Sequence, residues 1–547
     1  GTKKVLDMHF NFDSSALGGK TVVVCEKLTY GDYVAATEED MENKDQTIYF
    51  PEIHTTATDS ETADHLTLAD SRAVITDTVT YTNLLKGETY TLSGVLMDKE
   101  TGKELLVDGE PVTQEMAFTA GRASGTKKLK FEFDTTGLAG KSFVVYETLT
   151  LEDVEVAEHK DINDEGQTIH IPAAQTTATD DSSKINVSEA KKEVSVTDKV
   201  AYRNLVPGKE YTVRGTAVDK ETGEPLTDAD GNELVSTAKF TAASADGSVD
   251  VKFTFDGTAM AGRSVVFFEN VYYTDKLIAV HADIDDEAQT VHIPLIFTSV
   301  KDKDTDSHMS LAGSDVTLTD TVAYRNLVPG KTYTVSGTLM DQRTGKAVTV
   351  NGKSVTSSAD FTPDTADGET KVDFHFNTKG LDDTTVVVFE KMFYGKAEIA
   401  AHEDINDKGQ TIYIPSVKTT AIDEKTATKL TLAEKDIHIV DKVAYRNLVP
   451  GEKYTVTGTA IDKTTGEPLK DDAGKDVTAK ASFKAEKANG TVDVEFVFDG
   501  STLAGKTVVM YENIYYNNKL VGVHADISDE AQIIYVPSVK TTATDTK

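Results

Sequence analysis

Hydrophobic and polar residues alternate with period two along nearly the whole chain, the pattern of strands with one buried face. Thr-Val-Ala-Tyr-Arg-Asn-Leu from Thr321 and Tyr-Thr-Val-Ser-Gly-Thr-Leu-Met from Tyr333 are two such runs, rich in β-branched and aromatic residues. Turn signals separate them: Pro207-Gly208, Pro329-Gly330 and Pro450-Gly451, and the hairpin signals Asp108-Gly109, Asp230-Gly231-Asn232 and Asn351-Gly352. No convincing helical stretch interrupts them.

The pattern repeats. Gln46, Gln167, Gln289, Gln410 and Gln532 are spaced by 121 or 122 residues. Each closes a similar segment, of which Asp161-Ile162-Asn163-Asp164-Glu165-Gly166-Gln167-Thr168-Ile169 is one. Thr-Thr-Ala-Thr-Asp at Thr55, Thr176 and Thr541 keeps the same period, with variants at Thr298 and Thr419. So does Tyr-Arg-Asn-Leu-Val-Pro-Gly at Tyr202, Tyr324 and Tyr445, with a variant at Tyr81. Four complete units are expected at 52–172, 173–294, 295–415 and 416–537. Residues 1–51 read as the C-terminal half of a preceding repeat, and 538–547 as the first strand of a following one. Seven or so short strands per unit predict all-β, tandem immunoglobulin-like β-sandwich domains, and the short junctions predict an elongated, monomeric rod.

Composition narrows the function. The 547 residues include 91 acidic and 56 basic side chains, a formal charge of −35, which disfavours nucleic acid and anionic membrane surfaces as partners. No apolar run is long enough to span a membrane, so membrane insertion is not expected. Neither a signal peptide nor a hydrophobic anchor is visible, as expected of a fragment that opens and closes inside repeats. The single cysteine, Cys25, excludes an internal disulfide framework and is expected to pack as a small buried hydrophobe. Asp228-Ala229-Asp230-Gly231-Asn232 suggests a calcium loop, but its remaining ligand positions are missing. No metal or other cofactor is expected.

One constellation stands out. His159, Asp164 and Gln167 form a His-x4-Asp-x2-Gln pattern, repeated at His281/Asp286/Gln289, His402/Asp407/Gln410 and His524/Asp529/Gln532. A threonine near the opening of each unit gives the pairs Thr55/Gln167, Thr176/Gln289, Thr298/Gln410 and Thr419/Gln532. A glutamate follows the Val-Val-Tyr strand or its variants: Glu147, Glu269, Glu390 and Glu512.

With these motifs the chain resembles the VaFE repeats, or Thr–Gln ester-bond domains, of Gram-positive surface adhesins. The resemblance implies that a threonine hydroxyl on the first strand attacks the side-chain amide of a glutamine on the last. Ammonia leaves and an intramolecular ester remains. The residue types suit this chemistry: histidine can take the hydroxyl proton, and neighbouring carboxyls in an apolar site raise each other's pKa and can polarise the amide. Threonine is therefore assigned as nucleophile, glutamine as acyl donor and histidine as base. The Asp/Glu pair, Asp164 with Glu147 and their counterparts, is assigned as polarising acid. Alternation places the two threonines of each doublet on opposite faces, and the first is favoured as nucleophile.

The third unit departs from the motif at Val300 and Lys301 but keeps Thr298, Glu390, His402, Asp407 and Gln410. In the N-terminal piece, Glu38 and Asn43 stand at the histidine and aspartate positions. The function expected is a structural stalk of a bacterial cell-surface adhesin, extracellular and attached to the cell wall. Self-crosslinking is its only chemistry, and the host ligand is bound by a distal domain outside this fragment. The alternative is that the repeats are themselves the glycan- or protein-binding modules, for which Tyr272-Tyr273 and Tyr515-Tyr516 are the conspicuous aromatics. A Lys–Asn isopeptide domain fits less well, because the last strand supplies glutamine each time.

Overall fold

The computed structural model describes residues 3–544. The two ends of the chain, within 1–51 and 538–547, therefore lie partly outside the described residues. The fold is all-β, as the alternation predicts, with a few single-turn 3-10 helices as its only helical segments among the described residues. None of these could cross a membrane.

The first complete repeat shows the architecture. Its main strands are β1 (Glu52–Asp59), β2 (Arg72–Thr82), β3 (Thr89–Asp98), β4 (Thr113–Thr119), β5 (Gly125–Asp134), β6 (Ser142–Leu151), β7 (Val154–His159) and β8 (Thr168–His170). One sheet has the order β5-β2-β1; the other runs β4-β3-β6-β7, with β8 pairing the start of β6. Ile75, Val79, Leu92, Leu96, Phe131, Phe143, Val145 and Ile169 fill the space between them. The same two-sheet order recurs in the other three complete repeats. Inward and outward residues alternate as the sequence pattern requires: along β2, Ala73, Ile75, Asp77, Val79 and Tyr81 are buried.

Two features bring the repeat's first and last strands together. Ala57 N–H in β1 donates to the main-chain oxygen of Gly166, just before Gln167, at 3.0 Å. The loop after β1 then returns to hold β8, with His170 N–H bonded to His65 O at 2.8 Å and Thr67 N–H to His170 O at 3.0 Å. Asp59 organises that loop: its Oδ1 accepts the N–H groups of Glu61 and Thr62, and its Oδ2 accepts the Thr67 hydroxyl at 3.0 Å. The recurring Asp at the end of the opening motif is thus turn chemistry.

The described residues group into two compact units. The first runs to Asn186 and adds Glu193–Asp256 and Ser264–Val291; the second holds Val187–Lys192, Gly257–Arg263 and the chain from His292 onward. Within the first unit, Asn204 of the Tyr-Arg-Asn-Leu motif takes a left-handed conformation (φ 61°) and donates through Nδ2 to Lys141 O (2.6 Å) and Ile171 O (3.3 Å) of the preceding repeat. Within the second, Asn447 does the same to Thr384 O (2.8 Å) and Ile414 O (3.3 Å). An asparagine tolerates this backbone and supplies the donor, which accounts for its place in the motif.

Residues 3–50 form only short two-stranded pairings, Thr21–Val23 with Thr47–Tyr49 and Glu26–Tyr30 with Tyr33–Glu38. Cys25 is exposed there, contrary to the buried packing expected from its apolar neighbours. Its slot precedes an inward glutamate and so points outward; Tyr146, Phe268, Phe389 and Tyr511, its equivalents, are only half-buried. Asp228 Oδ1 accepts the N–H groups of Asp230 and Asn232, each at 2.9 Å, closing a tight turn.

A glycine in β3 fixes the approach of the two sheets at the position that matters later. Gly94 pairs directly with Glu147, and a Cβ added to it would lie 2.6 Å from Phe131 Cζ and 2.9 Å from Leu129 Cδ1. Gly215 stands likewise opposite Glu269, with its Cβ position 2.6 Å from Phe253 Cζ. The phenylalanine ring takes the missing side chain's place. Gly215→Val is expected to destabilise the second repeat by about 1–3 kcal/mol through overpacking. Calorimetry of the full chain, with Gly121→Val at an exposed bend with nothing within 4 Å of its Cβ position as reference, tests whether close packing is the cause.

Candidate functional site

Strand register assembles the site. The β6–β7 hairpin carries a one-residue irregularity near its turn and sets Glu147 directly opposite His159. The same register pairs Glu269 with His281, Glu390 with His402 and Glu512 with His524. On the facing sheet, β1 points Thr55 and Ala57 inward and Thr56 outward, so the first threonine of the doublet is the buried one. Gln167, just before β8, is completely buried, as are Gln289, Gln410 and Gln532.

In the first repeat, Thr55 Oγ1 lies 3.2 Å from His159 Nδ1 and 3.1 Å from Glu147 Oε2. Gln167 Nε2 contacts Thr55 Oγ1 and donates to Glu147 Oε2 at 2.5 Å. The third repeat is alike: Thr298 Oγ1 is 3.1 Å from His402 Nδ1 and 3.2 Å from Glu390 Oε2, and Gln410 Nε2 donates to Glu390. The Val300 substitution leaves this arrangement intact.

The second and fourth repeats hold the amide differently. Gln289 Nε2 donates to Phe267 O at 2.5 Å and to Glu269 Oε2 at 2.8 Å; Gln532 Nε2 donates to Met510 O and, at 2.9 Å, to Glu512 Oε2. His281 Nδ1 and His524 Nδ1 then make no hydrogen bond. Thr176 and Thr419 remain buried at the site.

The aspartates of the His-x4-Asp pattern do not stand beside the glutamates. Asp164 Oδ2 is 3.2 Å from His159 Nε2, and Asp286, Asp407 and Asp529 hold His281, His402 and His524 at 3.2, 3.1 and 3.1 Å. A carboxylate on Nε2 keeps the proton there and leaves the Nδ1 lone pair facing the threonine. The expected pairing of Asp164 with Glu147 is therefore corrected. The reason is geometric: Asp164 lies at the outer end of the closing turn, on the far side of the imidazole from Glu147.

Glu147's carboxyl neighbour is Asp77, on β2 opposite Ala57. Asp198, Asp320 and Asp441 are its counterparts beside Glu269, Glu390 and Glu512. Sequence reasoning passed over all four. A signal was there: an aspartate recurring on the inward face of an amphipathic strand, between Ile75 and Val79, where a charge has no cheap place. The small Ala57 across from it explains the alanine of the opening motif.

Burial, reinforced by the adjacent aspartate, pushes the glutamates far above the carboxyl range: Glu147 and Glu390 to about 10, Glu269 and Glu512 to about 11. Burial also raises Asp77, to about 6, and lifts Asp198, Asp320 and Asp441. Two carboxyls this close and this dry hold a proton between them at neutral pH. Each site therefore contains a neutral carboxylic acid against a buried primary amide whose own oxygen has no partner.

In the N-terminal piece, Gln46 Nε2 donates to Glu26, while Asn43 Nδ2 donates to Gln46 Oε1 (3.2 Å) and Glu38 Oε1 (3.4 Å). The surroundings are amide and carboxylate, without imidazole.

Solved structures that the chain resembles include distant likenesses. A bacterial adhesin from Mobiluncus mulieris containing intramolecular disulfide, isopeptide and ester bond cross-links is 14% identical, over 46% of this chain and 88% of its own, with TM-score 0.19. Escherichia coli alpha-2-macroglobulin is 9% identical over 89% and 44%, with TM-score 0.17. No curated protein matches. The model of the T-Q ester bond containing domain, by contrast, matches residues 2–50, 51–171, 172–293, 294–414 and 415–536. The chain belongs to the T-Q ester bond domain family, as five tandem copies.

Proposed function

We propose that each complete repeat closes an ester between its opening threonine and closing glutamine, and that the array is a load-bearing spacer of a bacterial surface adhesin. The observation that carries the reading is the Thr–His–Gln cluster of the first repeat beside a protonated carboxyl pair. His159 Nδ1 accepts the Thr55 hydroxyl proton as Oγ1 attacks Cδ of Gln167. A half-turn of the amide exchanges Oε1 and Nε2, so that Glu147, as an acid, donates to the oxygen and stabilises the charge that develops on it. The imidazolium then protonates the departing nitrogen, the C–N bond breaks and ammonia leaves. Asp164 steadies the imidazole, and Asp77 shares its proton with Glu147. Asp286, Asp407 and Asp529 serve the other three histidines in the same way.

Thr55 and Gln167 are 112 residues apart, so the ester would close almost the whole repeat into one loop. On the chain-entropy model that disfavours the unfolded state by about 4–5 kcal/mol. The chemistry consumes only the protein's own side chains, so no external substrate or cofactor is required. The competing reading, adhesive repeats, draws less support: the tyrosines of both doublets are half-buried, with Tyr273 against Tyr211 and Tyr516 against Tyr454.

The intact chain is expected to weigh less than its sequence by about 17 Da for each of four bonds. Mass spectrometry of Thr176→Ala should recover one increment and leave three; an unmodified wild-type mass would overturn the proposal. His281→Ala is expected to leave the second repeat folded and slow its closure by about 100-fold or more, read as the fraction of the corresponding peptides still unlinked.

A pH test isolates the carboxyl pair. In Thr55→Ala, which cannot close, Glu147 keeps a folded pKa near 10 against an unfolded value near 4.3. The folded repeat then binds more protons than the unfolded one across that interval. Its stability should fall by roughly 1 kcal/mol per pH unit as pH rises from 5 to 9. Adding Glu147→Gln should flatten this slope. A slope that survives the second substitution assigns the proton elsewhere.

A further inference from the structure

A lysine at the end of β3 brackets the reactive glutamine from outside the catalytic cluster. Lys99 is anchored by its own N–H to Ser142 O at 3.0 Å. Its Nζ reaches Glu165 Oε1 at 2.7 Å and Thr168 Oγ1 at 3.0 Å, the residues two before and one after Gln167. Thr168 Oγ1 donates in turn to Asp164 O at 2.8 Å, and Asp164 carries the imidazole. The second repeat repeats the chain of bonds. Lys220 Nζ lies 2.8 Å from Glu287 Oε1 and 3.2 Å from Thr290 Oγ1, and Thr290 Oγ1 donates to Asp286 O at 2.8 Å.

The other two repeats have lost parts of it. The third has Gln342 at the lysine position, with Nε2 on Ile405 O at 3.0 Å, and Lys408 where the glutamate stood. The fourth keeps Lys463 near Glu530, at 3.7 Å, but Ile533 has no hydroxyl to complete the bracket.

We propose that Lys99 and Lys220 are positioning residues for closure: they fix the glutamine-bearing turn, and through the threonine the aspartate that orients the base. This rests on the ester reading above and adds to it that the first and second repeats owe part of their closure rate to this lysine. An exposed Lys–Glu pair contributes little to stability. It stands, however, where a displacement of about 1 Å separates reacting atoms from productive geometry. Its effect belongs in the rate.

The test uses the full chain made by cell-free synthesis, quenched in acidic denaturant at intervals, with linked and unlinked peptides of each repeat counted by mass. The second repeat serves as an internal clock for the first. Lys99→Met is expected to slow closure of the first repeat by about three- to tenfold relative to the second, and Lys99→Arg to restore most of it. About 1 M salt should narrow the gap between wild type and Lys99→Met by screening the pair. Conversely, Gln342→Lys with Lys408→Glu should quicken the third repeat. The thermal midpoint of Thr55→Ala/Lys99→Met against Thr55→Ala separates positioning from folding, and the two should agree. Unchanged ratios in both Lys99→Met and the third-repeat variant overturn the positioning role while leaving the ester intact. Absence of mass loss in every wild-type repeat overturns the ester itself, and the positioning role with it.

Discussion

Two carboxyls buried against each other cannot both ionise, and that constraint organises every repeat. Asp77 and Glu147 come from different sheets and meet in the core. In a resting protein such a pair only costs stability, since burial penalises each charge and proximity penalises the second. Its persistence in four repeats becomes intelligible when the proton the pair retains is put to work on the amide. On the proposed reading, the strained electrostatics belong to a reaction that happens once.

Everything around the pair serves to hold it dry and in register. Gly94 lets Phe131 close over the position opposite Glu147, and Ala57 leaves room for Asp77 beneath the opening strand. The hairpin irregularity brings His159 level with Glu147 rather than one residue away, which would have turned the imidazole to solvent. The Ala57–Gly166 main-chain bond joins first strand to last before any covalent bond exists. Hydrogen bonding assembles the site, and chemistry can then make the assembly permanent.

Much of this was legible in the sequence, because period-two alternation and a long fixed repeat are local signals that survive without coordinates. They delivered the strands, and with them the opposite facing of the two threonines of each doublet. They misled at Cys25, where apolar neighbours concealed an outward slot. They also misassigned Asp164, which shares a motif with His159 and Gln167 and seemed for that reason the partner of Glu147. Neighbours in sequence sit on one turn; the true partner, Asp77, lies on the facing sheet, where only tertiary register reveals it. An inward aspartate on an apolar strand was the available clue, and it asks to be read as chemistry before it is read as a turn.

The position of the closing residues also bears on how load would pass through the array. Asn204 grips the main chain of the preceding repeat at Ile171, four residues beyond Gln167. If the array bears load, tension arriving from one repeat would reach the segment just after the glutamine, close to the proposed crosslink. Hydrogen bonds of a short strand such as Thr168–His170 would yield singly if pulled from that end. An ester at Gln167, at the root of that strand, would spare its three-residue pairing. The proposed ester would therefore sit beside one of the short pairings of the sheet, and the buried acid pair is what chemistry at such a place would draw on.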